Sequence, residues 1–76
     1  MKVAWLVKRS LSLSGHRTSV ALEAEFWHAL QAVAAGEACT LSELVARIDR
    51  ERDQQHPLAS ALRVHALLQA AGQVAK

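Results

Sequence analysis

The sequence predicts a mainly α-helical chain with a short antiparallel β-ribbon on a helix bundle, built as a dimer. Three observations carry that prediction. The hydrophobic period changes from two to about 3.6 near Glu23, so strand gives way to helix there. Clear helix start and stop signals then recur twice before the end of the chain. Finally, 76 residues, 51% of them hydrophobic, are few for a self-sufficient core. A chain of this size hides only about 60% of the surface its unfolded form exposes. The single Cys39 excludes an internal disulfide, and the four histidines (His16, His28, His56 and His65) are scattered without metal-site spacing. Oligomerisation is the remaining supplement, so we expect an obligate homodimer with no stable folded monomer.

The strand region comes first. Ser10-Leu11-Ser12-Leu13-Ser14 alternates polar and apolar, and Gly15 supplies a break where a positive φ is allowed. In Arg17-Thr18-Ser19-Val20-Ala21-Leu22 the alternation resumes. Thr18, Val20 and Leu22 share the face that enters a core, while Arg17, Ser19 and Ala21 share the outer one. A lone strand leaves half its backbone hydrogen bonds unmade. Two pairings answer that: Ser10–Leu13 with Arg17–Leu22 as a hairpin, or strands from two chains with each other.

The helices follow. Phe26, Trp27, Leu30, Val33 and Ala34 form one apolar stripe, with Glu23 and Glu25 near the positive end of the helix dipole and Gly36 as the terminator. Thr40-Leu41-Ser42-Glu43 has the capping-box pattern, and Leu41, Leu44, Val45 and Ile48 give the second helix its buried stripe. His56-Pro57 marks a stop and a restart. In the third helix Leu58, Ala61, Leu62 and Leu68 are the expected core positions. The organisation is one domain over 1–76: a basic arm over 1–16, a strand over 17–22, and helices over 24–35, 41–53 and 57–71.

Charge is placed unevenly. Lys2, Lys8, Arg9 and Arg17 occupy the first seventeen residues with no acid among them, whereas five basic and seven acidic residues follow, a balance of −2. A basic arm on a near-neutral body points to a polyanionic partner. No segment reaches the roughly 18 apolar residues of a membrane span. No signal peptide is recognisable, and a free Cys39 suits a reducing compartment, so we expect a cytoplasmic protein. The chain offers no catalytic constellation, glycine-rich phosphate loop, metal ligands or cofactor motif, and we expect no enzyme. Phe26 and Trp27 are read as core in preference to a base-stacking platform, His28 as solvent-exposed, His65 as a packed neutral residue and Cys39 as inert. His16 is either a phosphate contact or an idle turn residue.

Several stretches carry a resemblance: Val7-Lys8-Arg9-Ser10, the run from Gly15-His16-Arg17-Thr18-Ser19-Val20-Ala21-Leu22-Glu23 to Phe26-Trp27 and Leu30, then Thr40–Val45 and Ala59–Val64. Together they resemble a group of short bacterial ribbon-helix-helix proteins and, more distantly, the Arc and MetJ repressors. The resemblance implies a ribbon-helix-helix dimer with an extra C-terminal helix, whose paired strands enter the major groove of double-stranded DNA. It also implies transcription regulation as the function. On that pattern Arg17, Ser19 and Ala21 are the base readers, Arg17 through guanine O6 and N7. Lys8 and Arg9 supply phosphate charge from the arm, and the N–H groups at Leu41, helped by Thr40, hold a phosphate oxygen. The alternative is a protein-interaction module, antitoxin-like, that docks a protein partner through its C-terminal helix.

Overall fold

The computed structural model describes residues 5–74. Strands β1 (Leu6–Leu13) and β2 (His16–Glu23) are followed by helices α1 (Ala24–Gly36), α2 (Leu41–Glu51) and α3 (Leu58–Val74). The two strands pair antiparallel within one chain, with Leu13 opposite His16 and Leu6 opposite Glu23. Of the two pairings open to the sequence, the hairpin is therefore the one formed. Residues 6–13 of the expected basic arm are a strand, while Lys2 lies outside the described residues.

The hairpin forms here because its two turn residues both accept positive φ, Ser14 at 53° and Gly15 at 88°. Two consecutive left-handed residues twist in the sense of the flanking strands, which favours a tight two-residue connection. The alternation read from the sequence then sorts the side chains. Leu11, Leu13, Val20 and Leu22 are buried on one face, against Trp27, Leu30 and Ala34 of α1, Leu41, Leu44, Val45 and Ile48 of α2, and Ala61, Leu62 and Ala66 of α3. That core comes from one chain. It changes what a second chain would supply: β2 already has a strand partner, and α3 already covers the helix pair. Phe26, Val33 and Leu58 are half-buried at its margin.

The local signals account for most element ends. Thr40 caps α2 with both halves of the capping box present. This helix stops at Glu51, two residues short of the expected 53, because Arg52 turns back. Its Nε donates to Asp49 Oδ1 at 2.8 Å and its Nη1 to the His56 carbonyl at 2.8 Å, tying down the loop before Pro57. Gly36 does not end α1 by a left-handed turn. Ala38 takes that conformation (φ 57°), and the Cys39 N–H closes the end on the Ala34 carbonyl at 3.0 Å. A left-handed residue at this point satisfies the last carbonyls of a helix whichever residue supplies it. In α3 the expected core position Leu68 is instead exposed, with Leu67 (64% and 63%). The core reaches only to Ala66, and the helix continues beyond it.

Candidate nucleic-acid interface

The face of the hairpin turned away from the helices is built by register. Residues whose numbers sum to 29 lie opposite each other, so Lys8 faces Ala21, Ser10 faces Ser19 and Ser12 faces Arg17. Paired residues share a side of a sheet. One surface therefore carries Lys8, Ser10, Ser12, Arg17 and Ser19, all exposed, with Ala21 half-buried among them. Ser10 Oγ and Ser19 Oγ lie 3.4 Å apart across the strands. The expected outward set of Arg17, Ser19 and Ala21 is on this face. Ser10 and Ser12 join it, and sequence reasoning missed them as site residues. The signal was present, since a two-residue turn at Ser14-Gly15 fixes every cross-strand partner.

Arg9 does not join it. Neighbours in a strand point to opposite faces, so Arg9 lies on the helix side, its guanidinium 5.4 Å from the Trp27 ring centroid. The indole Nε1 of Trp27 donates to the Val7 carbonyl at 2.8 Å, and Trp27 is buried. The tryptophan is thus a strand anchor rather than a stacking platform. The expected pair of arm cations is divided, Lys8 on the outer face and Arg9 behind it.

The outer face has one acid, Glu23, at its far end opposite Leu6. Arg63 Nε donates to its Oε1 at 3.0 Å. Glu23's carboxyl is held below the usual range, first by a bond from its own backbone N–H and then by the Arg63 guanidinium. The negative charge at the ribbon's end is therefore compensated from α3.

At the other end of the ribbon, Ser12 and Ser14 border a hollow of about 350 Å³ with Ser42, Glu43, Ala46 and Arg50 of α2. Thr40 and Leu41 stand at the start of this helix. The Thr40 hydroxyl accepts the Glu43 N–H at 3.0 Å, and the Thr40 N–H donates to Glu43 Oε1 at 2.8 Å. Thr40 is therefore first a cap. The side chain of Leu41 is buried, leaving only its backbone to meet a ligand. His16 and His28 are exposed, and His65 buries its Nε2 without a hydrogen-bond partner.

The turn closes on Leu13–His16, and hydrogen-bonded and non-bonded pairs alternate from there. The N–H and C=O groups of Arg17, Ser19 and Ala21 therefore face the other edge of β2. Among the described residues the sheet has two strands, so that edge is open.

A polar, basic two-stranded ribbon set on a helix pair defines the class of small proteins that present strands, rather than a helix, as their working surface. A model of the ribbon-helix-helix domain matches residues 6–70, and the chain belongs to that family. No curated protein and no solved structure matches it significantly. The family is in general one of DNA-binding regulators. Among the described residues no helix is long and apolar enough to cross a membrane.

Proposed function

We propose that this chain is a homodimeric regulator of transcription that reads double-stranded DNA with its β-ribbon, working in the cytoplasm without a cofactor. The observation that carries the reading is the outer ribbon face, with Lys8, Ser10, Ser12, Arg17 and Ser19 on one exposed surface and its single acid ion-paired. Arg17 and Ser19 offer donors to base edges, and Ala21 offers a methyl contact. Lys8 supplies phosphate charge, Arg9 does so from the ribbon's other side, and Thr40 with the Leu41 N–H holds a phosphate at the start of α2. Two chains join through the open edges of β2, since an exposed strand edge is a template for pairing. Dimerisation here serves reading more than folding, because the core of each chain is closed by β1 and α3.

The test is selection of bound sequences from a random duplex pool at physiological salt. Convergence on an inverted repeat supports a dimeric reader. Binding to no duplex removes the proposal. A second reading, a module that docks a protein through α3, is favoured by Val64, Leu67 and Leu68, which leave an apolar stripe exposed on that helix. Capture of a defined protein by the wild type, lost in Leu67→Ser and Leu68→Ser together, is its expected result.

A further inference from the structure

We propose that β1 lies on the phosphate walls of the groove while β2 reads its floor, making Ser10, Ser12 and Lys8 contacts to the DNA backbone. This rests on the DNA reading above and on pairing of two chains through β2.

Widths decide this placement. The major groove is about 12 Å wide and admits a two-stranded ribbon. Adjacent strands lie about 4.8 Å apart. The β1 strand already occupies one edge of β2, so pairing through the open edge builds a four-stranded sheet in the order β1, β2, β2, β1. Its central pair, about 4.8 Å apart, fits the groove. Its outer pair stands three spacings apart, roughly 14 Å, and exceeds it. The β1 strands therefore cannot follow β2 to the base edges. They come down on the two rims, where the phosphates are.

The side chains suit that position. The outer face of β1 presents Lys8, Ser10 and Ser12 and no acid. A serine hydroxyl is short and reaches only what lies directly beneath it, and on the rim that is a phosphate oxygen. Phosphate contacts from serine hydroxyls set register without reading sequence. The one long side chain, Lys8, brings the charge that phosphate binding uses. The register sets each wall residue opposite a groove-facing one, and the hydroxyls of Ser10 and Ser19 lie 3.4 Å apart. At the turn end, Ser12 borders the hollow that Arg50 lines, which sets a second cation beside the same rim. Glu43, which lines it too, is tied to the Thr40 N–H.

The experiment titrates wild type, the double variant Ser10→Ala with Ser12→Ala, and Lys8→Gln against the selected duplex and a scrambled one at two salt concentrations. The double serine variant is expected to lose about tenfold in affinity on both duplexes, with base preference and salt dependence unchanged. Lys8→Gln is expected to lose affinity evenly and to shallow the salt dependence. Methylphosphonates placed at the rim phosphates should weaken wild type more than the double serine variant, which keeps only Lys8 there. Unchanged affinity in the double variant, or a changed base preference, overturns the wall assignment while leaving the DNA reading in place. A wild type that binds no duplex overturns both.

Discussion

The two faces of the β-hairpin differ by one residue of register and by almost everything else. Leu11, Leu13, Val20 and Leu22 face the helices and are buried, while Ser10, Ser12, Arg17 and Ser19 alternate with them and are exposed. Lys8 and Arg9 make the contrast sharpest. They are adjacent cations of one basic run, yet one points outward and the other lies over Trp27. A basic segment read from sequence is a sum of charge, whereas a strand divides that sum between two surfaces. Substitutions on one face should therefore act on stability, and those on the other face on binding.

The largest effect is expected on the inner face. Leu22 is fully buried and Trp27 nearly so. Leu22→Ala should cost about 2–5 kcal/mol through lost burial and the cavity left behind. Trp27→Ala should cost a similar amount and also release the Val7 carbonyl from the indole N–H. Domain stabilities are only about 5–15 kcal/mol, so both variants should melt far lower or fail to fold. Native-like thermal melts for both would mean that the two faces are not divided as described.

On the outer face the order reverses. Arg17→Ala should leave the melting temperature nearly unchanged, since its side chain is exposed. On DNA it should cost about 1–3 kcal/mol and relax preference at one base pair in each half-site. Affinity on cognate and scrambled duplexes separates this from loss of charge alone. Equal losses on both would strip Arg17 of a base-reading role.

How much of this was legible in the sequence follows from which signals are local. The face assignments needed only a period of two, and the capping box needed only Thr40 and Glu43. Both are read within a few residues. The pairing partner of β2 was not local in that sense. Hairpin and intermolecular ribbon present the same alternation, and the choice depended on Ser14 sharing with Gly15 a positive φ that non-glycine residues seldom adopt. Ser10 and Ser12 depend on the same choice, because their place beside Ser19 and Arg17 rests on the Ser14-Gly15 turn that pairs the strands. Leu68 lies outside the core because helical period gives the direction of a side chain and not where the core ends. Ala38 shows the converse: the turn after α1 needed a left-handed residue, and Gly36 stood two positions too early.

Arg9 gives a smaller and more specific contrast with Lys8. A guanidinium 5.4 Å from an indole centroid is worth about 0.5–1 kcal/mol where the pair is solvated. Arg9→Ala should therefore lower stability by that order, with a lesser effect on DNA affinity than Lys8→Ala. Lys8→Ala should leave stability alone and weaken DNA binding evenly across sequences. Denaturant melts and duplex titrations of the two variants, side by side, check both halves. Identical behaviour of the two would erase the division between adjacent cations.

The smallest expected effect is one of pH and concerns Glu23, the acid at the end of the outer face. Its carboxyl is held low first by its own backbone N–H and then by Arg63, whereas an unfolded glutamate titrates at about 4.3. A folded-state pKa below the unfolded value means that the unfolded chain binds the proton more readily. The stabilisation is then fully present above the unfolded pKa and is lost as pH falls through the folded one. Glu23 is only half-buried, so the contribution is slight and is damped by salt. Glu37, held low first by its bond to Arg47, loses its own contribution in the same acid range and in the same direction. Wild type should therefore lose stability slightly more than Glu23→Gln between neutral pH and pH of about 3, because the variant has no proton to take up there. At neutral pH the same variant should bind DNA no more weakly than wild type, since it removes the outer face's only acid. Parallel stability curves for the two proteins across that range would show that Arg63 shields Glu23 without stabilising its charge.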